Sequence, residues 1–395
     1  MRVLFSILIL CSLSSCYMFR AYKMRKLRLE DNDKVPTVSI QKSTVPFHYI
    51  NGASLPQYND LAAYLDTNLA KSLTAAFLVI RNDSIIYEHY FNGFNGQSLL
   101  PSFSVAKSFV GTLIGVALQE GSIKSTSEPI TNYLPELLKR DTRFSKITIQ
   151  HLLDMRSGLK WNEGKYNIKD DAIKLGFRTN VVKYALKLNV QEEPGKKFRY
   201  QSVNTELLAL IIQRASGKKV SAYLKEKLWE PLGAEQGATW SVDSKKRMQE
   251  IAFAGLNATA RDFAKLGTLY LNKGVWQGKQ LIGKDWVEAV ADRDRLYKSG
   301  GYKNQWWSKN LSRTFPDSLS AVAYKKTNLY TGAVRKQGTG YRVSYQTTAF
   351  SAQGLLNQVI YINPKNNVVI VRLGHNWYHP TQYVDGFIYS LGERL

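Results

Sequence analysis

Cysteine is almost absent from this chain. Only two cysteines occur among 395 residues, Cys11 and Cys16, and both lie in the first sixteen positions. The chain after position 16 can therefore contain neither a disulfide nor a cysteine-ligated metal. Because 44% of the residues are hydrophobic, we expect the fold to be stabilised by a large apolar core instead.

Other signatures of cofactor sites are missing as well. The five histidines are scattered, no glycine-rich phosphate-binding loop occurs, and the chain has neither an internal repeat nor a low-complexity tract. These absences argue against a metal centre and against a nucleotide site. We expect a protein that uses no metal and no organic cofactor.

The apolar run at the N-terminus is too short to span a membrane comfortably. Residues 3–10 are apolar and follow a positively charged start, which is typical of a secretory signal. The sequence Leu13-Ser14-Ser15-Cys16 then resembles a bacterial lipobox. We predict that residues 1–15 are a lipoprotein signal peptide, and that a lipid on Cys16 anchors an exported protein to a membrane of the bacterial cell envelope. An ordinary signal peptide is the alternative.

Acidic residues are outnumbered by basic ones. The chain has 54 Lys and Arg against 31 Asp and Glu, which gives a formal net charge of +23. In an exported protein this excess favours anionic envelope polymers or lipid headgroups as partners, and not nucleic acid. A solvated basic surface without a partner is the alternative. Residues 16–45 are rich in charge without sustained apolar periodicity, so we predict a basic tether ahead of one domain over 46–395.

Local patterns predict an α/β lobe into which a helical lobe is inserted. Two β-prone runs flank the turn residues Asn82 and Asp83, and a second hairpin pattern occupies 358–373. We expect these hairpins to share one sheet. Helical spacing occurs at 58–71, 147–155, 170–186, 205–215, 222–228, 261–271, 284–291 and 383–395. The α/β lobe would span about 46–103 and 310–395, and the helical lobe about 104–309.

Residues 103–119 are predicted to form a buried helix with chemistry at its first turn. Apolar residues cover most of the helix circumference, and Ser104 stands at its start. Lys107 follows three residues later on the same face, so its amine can reach the Ser104 hydroxyl. The free N–H groups at a helix start also favour developing negative charge. The same spacing occurs three more times without such a helix, and a capping serine beside a snorkelling lysine is the alternative interpretation.

A second stretch favours the chemical interpretation. The sequence Tyr200-Gln201-Ser202-Val203-Asn204, with the apolar helix that follows, resembles the serine β-lactamase-like family of class C β-lactamases, D-Ala-D-Ala peptidases and related esterases. The branch that it most resembles contains the 6-aminohexanoate-dimer hydrolases. Residues 147–159, Ala258-Thr259-Ala260-Arg261-Asp262 and Gly354 supply further motifs in family order. The resemblance covers about 58–395 and implies a β-lactamase/transpeptidase-like fold of the α/β plus all-α class, with an antiparallel sheet flanked by helices.

The resemblance implies roles for four residues. Ser104 would be the acylated nucleophile, Lys107 its partner, and Tyr200 the tyrosine whose oxygen faces both. A serine hydroxyl needs a neighbouring base at neutral pH, and a desolvated lysine can lose its proton readily enough to serve. Whether Lys107 or Tyr200 takes the proton stays open. The backbone N–H groups of Ser104 and Leu355 would form the oxyanion hole.

The chain departs from the family pattern at two places. Ala352-Gln353-Gly354 stands where relatives carry Lys-Thr-Gly, so the cation that anchors a substrate carboxylate is missing. Ser202 stands where lactamases carry the asparagine of Tyr-x-Asn, and it could hydrogen-bond Lys107 or the substrate. We expect six residues to contact substrate: Ser202, Gln353, Gly354, His375, Tyr166 and Asn257. For the last three, a solvent-exposed strand-end histidine and ordinary loop or capping residues are the alternatives.

The predicted function is that of an exported serine hydrolase, which hydrolyses a small-molecule ester or amide through an acyl-enzyme. One alternative is a D-Ala-D-Ala carboxypeptidase or β-lactamase, which a cell-envelope location favours and the missing lysine disfavours. Another is a catalytically silent binding or sensor lipoprotein. Simple binding has no use for a nucleophile with two titratable partners, so this last alternative explains the motifs less well.

Overall fold

The computed structural model of the chain describes residues 17–22, 28–165, 167, 169–292, 301–328, 331–377 and 383–395. The signal peptide predicted for residues 1–15, the lipidation site Cys16 and the candidate Tyr166 lie outside these residues. Within them, no helix combines the length and the apolar character that crossing a bilayer requires.

Most strands belong to one large sheet. The strands are β1 (Thr37–Ile40), β2 (Ile50–Asn51), β3 (Thr74–Arg81), β4 (Ser84–Tyr90), β5 (Leu100–Pro101), β6 (Ala238–Ser241), β7 (Leu256–Ala258), β8 (Val275–Trp276), β9 (Lys279–Gln280), β10 (Tyr302–Lys303), β11 (Trp306–Phe315), β12 (Thr331–Gln337), β13 (Gly340–Gly354), β14 (Gln358–Asn363) and β15 (Val368–Gly374). Nine strands form a sheet in the order β10-β11-β13-β14-β15-β3-β4-β2, in which β12 pairs with the first half of β13. Apart from the parallel pair β2 and β4, the neighbours are antiparallel, which confirms the predicted sheet.

Two hairpins bring distant parts of the chain together in this sheet, as the sequence predicts. Strands β3 and β4 are joined by Asn82 and Asp83, whose φ angles of 48° and 59° are those of a tight mirror-image turn. Strands β14 and β15 form the second hairpin, and β15 pairs with β3 so that Val371 lies opposite Leu78. The sheet therefore joins the start of the domain to its end.

Helices cover both faces of the sheet. They are α1 (Asn59–Leu69), α2 (Ala106–Gln119), α3 (Ile149–Leu153), α4 (Asp171–Phe177), α5 (Val181–Ala185), α6 (Ser202–Ser216), α7 (Val220–Leu224), α8 (Ala260–Leu271), α9 (Lys284–Ala291), α10 (Ser318–Thr327) and α11 (Val384–Arg394). Alternate residues of β3 point to opposite faces: Phe77 packs in the cluster with α1 and α11, and Leu78 packs in the main core with α8. The nine-stranded sheet is thus an interior layer.

Helix α2 runs through the middle of the protein. Every residue from Ala106 to Ala117 is buried, and the short 3-10 turn Phe103–Val105 precedes the helix. This confirms the buried helix predicted for 103–119. Any polar side chain that the helix carries, including Lys107, is therefore held away from water.

Two predicted helices end earlier than their periodicity suggests. Residues 170–186 form α4 and α5 as separate helices, because Arg178 is extended and the Asn180 side chain caps α5 by accepting from Lys183 N. The pattern at 222–228 is divided between α7 and a π-helical turn at Lys225–Trp229. Local caps, which apolar spacing does not reveal, set these boundaries.

The lobe boundaries also differ from the prediction. Helix α8 falls within the predicted helical lobe, 104–309, yet Gly267 of this helix packs directly on Val369 and Ile360 of the sheet. Strand β10 and the start of β11 likewise belong to the sheet. A linear division of the chain fails here because the two lobes exchange elements.

The described residues of the predicted tether 16–45 pack on the body. Leu29 is only 1% exposed and belongs to the main core, while β1 pairs with β6 in a second sheet of order β1-β6-β7-β5. Arg20, in a short helical segment at 17–22, donates to the carbonyl oxygens of Phe177 and Asp243 at 3.2 and 2.8 Å. Because this segment is highly charged, its sequence did not predict the buried leucine or the four-residue strand.

Candidate active site

Ser104 lies in the 3-10 turn Phe103–Val105 at the entrance to α2. Phe103 has a φ of 43°, in the left-handed region that non-glycine residues avoid. The chain just before the turn is held to strand β7, since the backbone N–H of Ser102 donates to the Leu256 carbonyl at 2.9 Å. Strained backbone of this kind persists only where the surroundings enforce it, and it clusters at functional sites.

The structure brings Lys107 and Ser104 together, as their spacing predicts. Lys107 Nζ donates to Ser104 Oγ at 2.7 Å and to the Phe253 carbonyl at 3.1 Å. The lysine is only 1% exposed, and burial lowers the pKa of its ammonium group to about 8. Negative charge on Glu163 and Glu206 acts in the opposite direction and raises that pKa. The amine next to the hydroxyl is therefore a far better base at neutral pH than an exposed lysine.

Tyr200 approaches the same lysine from the start of α6. Its ring centroid lies 5.0 Å from Lys107 Nζ. The ring stacks on Trp307, with centroids 5.5 Å apart, and meets Tyr302 edge-on at 6.0 Å. These two aromatic residues come from β10 and β11, where no motif marked them in the sequence. They fix the plane of the Tyr200 ring beside the lysine.

Ser202 donates to a glutamate that the sequence analysis missed. Its Oγ donates to Glu163 Oε1 at 2.6 Å, and its backbone N–H donates to Glu163 Oε2 at 2.6 Å. The indole N–H of Trp161 donates to the same carboxylate at 2.7 Å. Ser202 thus hydrogen-bonds Glu163, and not Lys107 as we had considered. The Glu163 carboxylate in turn acts on the lysine through its charge. Glu163 lies in a loop outside every recognised motif.

Glu206 is a second acidic group that acts on the lysine. It is fully buried in α6, and burial raises its pKa to about 8. Its Oε2 accepts from the Ala252 backbone N–H at 2.9 Å, whereas Oε1 has no hydrogen-bond partner among the described residues. At pH 7 this carboxyl is mostly protonated, so most of the negative charge acting on Lys107 comes from Glu163. Glu206 is the only acidic residue of α6, which was the available sequence signal.

Gly354 lies directly against the turn that carries the nucleophile. A Cβ atom on Gly354 would lie 2.4 Å from the Ser102 carbonyl oxygen and 3.2 Å from Ser104 N, so no side chain fits there. Leu355 follows immediately, and both it and Ser104 line the same cavity. The two residues predicted to supply the oxyanion donors are therefore neighbours in space. Gln353 also lines the cavity, and its amide donates to Ser351 Oγ at 3.0 Å.

Arg372 supports the turn that follows Leu355, and the sequence analysis missed it. The side chain is fully buried, and burial lowers the pKa of its guanidinium to about 9. Nη1 donates to the carbonyls of Leu356 and Asn357, both at 2.9 Å, and Nη2 donates to that of His375 at 2.8 Å. Leu356 and Asn357 have positive φ angles of 60° and 64°. The arginine thus holds a strained turn through the carbonyl oxygens of that turn.

A cavity of about 640 Å³ opens at Ser104. Its lining includes four of the six predicted substrate-contacting residues, Ser202, Asn257, Gln353 and Gly354, together with Tyr200 and Leu355. The Asn257 amide is partly committed, since Nδ2 donates to Thr239 Oγ1 at 3.0 Å and to the Gly255 carbonyl at 3.2 Å. Across the described part of the chain, no three His, Cys, Asp or Glu side chains are grouped so that they could hold a metal ion.

Two guanidinium groups reach the cavity from the N-terminal segment. Arg20 and Arg28 both line it, together with Asp31 and Val35. Arg20 is engaged with two carbonyl oxygens, as described above, whereas Arg28 is exposed. This segment belongs to the predicted tether, in which we expected no cavity residue.

His375 does not line the cavity, which corrects its predicted place. Its neighbour Asn376 does. The His375 backbone N–H donates to the Leu73 carbonyl at 3.0 Å, and its ring Nε2 lies 3.7 Å from Glu30 Oε1. An irregular register where β15 ends, at Leu373/Gly374, precedes it, and a shift of one residue exchanges which side chain faces a given side.

Known proteins resemble this chain over most of its length. The family model described as Beta-lactamase matches residues 61–388. The 6-aminohexanoate-dimer hydrolase of Paenarthrobacter ureafaciens is 28% identical over 326 residues, which are 80% of this chain and 76% of that relative.

Solved structures show the same fold. A Bacillus anthracis protein provisionally assigned as a 6-aminohexanoate-dimer hydrolase aligns with a TM-score of 0.69 and 24% identity over 93% of this chain and 91% of its own. A class C β-lactamase in complex with cefoxitin aligns with a TM-score of 0.56 and 16% identity over 86% of this chain and 99% of its own. The predicted β-lactamase/transpeptidase-like fold is confirmed.

Proposed function

Because the chain belongs to the beta-lactamase family, we propose that it is a serine hydrolase which cleaves an ester or amide through an acyl-enzyme on Ser104. The observation that carries this proposal is the hydrogen bond of 2.7 Å between Lys107 Nζ and Ser104 Oγ, made inside the core. If Ser104 only capped the helix and Lys107 extended to solvent, the ammonium group would lie in water.

Burial of Lys107 supplies the base. With a pKa of about 8, about one lysine in ten is neutral at pH 7, against roughly one in three thousand for an ordinary lysine. The neutral amine takes the proton of Ser104 Oγ as this oxygen attacks the carbonyl carbon of the substrate. Tyr200, held beside the ammonium, is placed to pass a proton onward to the leaving group.

The rest of the cycle follows from the same groups. The carbonyl oxygen becomes an oxyanion, which the N–H groups of Ser104 and Leu355 stabilise, and the leaving alcohol or amine departs with the proton that Ser104 gave up. Water then attacks the acyl-enzyme, returns a proton to Ser104 Oγ and releases the acid. The strain at Phe103 and the Arg372 contacts keep both sides of this oxyanion site in place before substrate binds.

The substrate is a small ester or amide that does not depend on a carboxylate anchor on β13. Ala352 is fully buried and occupies the position where relatives carry the lysine of Lys-Thr-Gly. The cations that do reach the cavity, Arg20 and Arg28, come from the N-terminal segment instead. A relative named for hydrolysing the 6-aminohexanoate dimer supports an amide or ester substrate in preference to a β-lactam.

We also propose that the protein is exported and anchored through a lipid on Cys16. The motif Leu13-Ser14-Ser15-Cys16 behind a short apolar run supports this location. Its net charge of +23 suits anionic partners in the envelope.

Kinetics with two chromogenic substrates test the proposed reaction. We expect kcat/KM for p-nitrophenyl butyrate to exceed that for nitrocefin by ten- to a hundredfold, since a charge-assisted carboxylate contact is typically worth roughly 1.5 to 3 kcal/mol. Ser104→Ala should lower ester hydrolysis at least a thousandfold and leave the fold intact. Undiminished turnover by this variant would overturn the proposal.

A preference for nitrocefin would favour the alternative of a β-lactamase or D-Ala-D-Ala carboxypeptidase. In that case Arg28→Ala separates two explanations. Loss of the preference would identify Arg28 as the carboxylate anchor, and a retained preference would place the anchor elsewhere.

A further inference from the structure

One part of the sheet lobe extends beyond the strands that line the cavity. It consists of β11, α10, β12 and the first half of β13, which we call the basic extension, residues 309–345. Strand β11 contributes Trp307 to the cavity and then continues to Phe315, about 26 Å further at the rise of a β-strand. The extension therefore carries surface that the catalytic site does not use.

Helix α10 presents an apolar face to solvent. Leu319 is 81% exposed and Val322 is 39% exposed, and Ala323 beside them is also exposed. Their spacing of three and four residues places them on one side of the helix, one turn before Lys326. Leu319 is the most exposed large aliphatic side chain in the described residues.

The other side of α10 fixes the helix to the sheet. Ala321 is fully buried, and Tyr324 packs against Phe315 and Tyr345 with ring centroids 5.2 and 6.0 Å away. Asp317 caps the first turn, where it accepts from Ser320 N at 2.7 Å. The outward apolar face is thus held in one orientation and is not the product of a loosely attached helix.

The extension is strongly basic, and Lys325 and Lys326 stand beside the apolar face of α10. The extension contains one acidic residue, Asp317, and seven basic residues: Lys309, Arg313, Lys325, Lys326, Arg335, Lys336 and Arg342. Among the described residues, only Lys309 of the seven forms an ion pair, with Asp385 at 3.6 Å. Arg313 lies over the Tyr324 ring at 5.6 Å, on the side of the sheet that α10 covers. Most of this charge is therefore available to a ligand.

From this combination we propose that the basic extension docks on an anionic lipid bilayer, with Leu319 and Val322 entering the interface and Lys325 and Lys326 contacting headgroups. An amphipathic helix with exposed aliphatic residues next to lysines is the physical pattern of interfacial binding. A soluble polyanion would use the cations and leave the aliphatic residues in water. A second copy of the chain would meet the same sign of charge. Of these three candidate partners, only the bilayer contacts both the aliphatic residues and the lysines.

Docking would have a consequence for the site. Strands β11 and β13 connect the extension to the cavity through Trp307 and Gln353. The bilayer contact would therefore hold the cavity at a fixed distance from the membrane, whatever the length of the tether. This inference does not depend on the proposed reaction, because it rests on residues outside the cavity.

Vesicle cosedimentation tests the proposal with the mature chain from residue 16 onward carrying Cys16→Ser, so that neither the apolar signal segment nor a lipid anchor contributes. The probes are vesicles of phosphatidylcholine alone and vesicles containing 30% phosphatidylglycerol. We expect at least tenfold tighter binding to the anionic vesicles, weakened by salt. The double variant Lys325→Glu, Lys326→Glu should lose at least tenfold in affinity for them, and Leu319→Ser should lose severalfold.

The matched control reverses two adjacent exposed lysines elsewhere, Lys245→Glu and Lys246→Glu, with the same change in net charge. Equal losses in the two double variants would overturn the proposal, because net charge alone would then explain binding. Equal affinity for both vesicle types would overturn it as well. Tight heparin binding with an unchanged Leu319→Ser variant on vesicles would assign the extension to a polyanion instead. An unchanged thermal unfolding curve by circular dichroism confirms that each variant is folded.

Discussion

Replacement of Lys107 by methionine should abolish activity and stabilise the protein at neutral pH. Methionine has a similar length and no charge, so it fits a site that is 1% exposed without the cost of a buried ammonium. The pKa of Lys107 falls from 10.5 to about 8 on folding. At about 1.4 kcal/mol per pKa unit, the folded state at pH 7 carries a penalty of about 3 kcal/mol from this group.

Two lost hydrogen bonds offset part of that gain. Lys107 donates to Ser104 Oγ and to the Phe253 carbonyl, and each bond is worth about 1 kcal/mol net. We therefore expect the free energy of unfolding of Lys107→Met to exceed that of the wild type by about 1 to 2 kcal/mol at pH 7, measured by urea denaturation.

The pH dependence of this difference is the sharper readout. Between the folded and unfolded pKa values the unfolded chain binds more protons at Lys107, so wild-type stability gains from this group as the pH rises from about 8 to 10.5. The variant lacks that gain. The stability difference should fall by about 2 kcal/mol from pH 7 to pH 9.5. A difference that stays constant over this range would refute the claim that Lys107 is desolvated and its pKa lowered.

Three further predictions concern the site and the N-terminus. The kcat/KM for an activated ester should rise with pH through about 8, as neutral Lys107 accumulates. The Glu163→Gln variant should move this inflection to lower pH, because the substitution removes a negative charge that raises the pKa of Lys107. Stopped-flow pH profiles measure both effects. Gly354→Ala should lower kcat by ten- to a hundredfold because its Cβ would displace the Ser104 turn, whereas Gly332→Ala in β12, with its nearest contact at 3.6 Å, should not; steady-state kinetics of the pair decide this. Mass spectrometry of the mature N-terminus should find a diacylated or triacylated Cys16, and an unmodified chain that starts elsewhere would contradict the proposed anchor.

The sequence predicted the parts of the fold that local pattern controls. The helix at 103–119, the two hairpins and the short distance between Ser104 and Lys107 follow from spacing, because a helix places positions three apart on one face. These elements are in the structure where the sequence put them.

The rest of the site depends on contacts that spacing cannot show. Glu163 accepts a hydrogen bond from Ser202, and Arg372 donates to the Leu356 carbonyl, so both contact segments distant in the sequence. Neither residue belongs to a recognised motif. Leu29 packs in the main core although the segment around it is highly charged, and the adjacent Arg28 lines the cavity. His375 follows a register irregularity at Leu373/Gly374, and its neighbour Asn376 lines the cavity instead. Tertiary packing, and not local propensity, decided each of these positions.

The most direct test of the acyl-enzyme mechanism is to label the wild type with a fluorophosphonate probe and map the modified peptide by mass spectrometry. We expect one probe per chain on Ser104, formed faster as the pH rises from 6 to 9, and no labelling of Ser104→Ala at the same concentration. Labelling at another serine, or equal labelling of the Ser104→Ala variant, would contradict it.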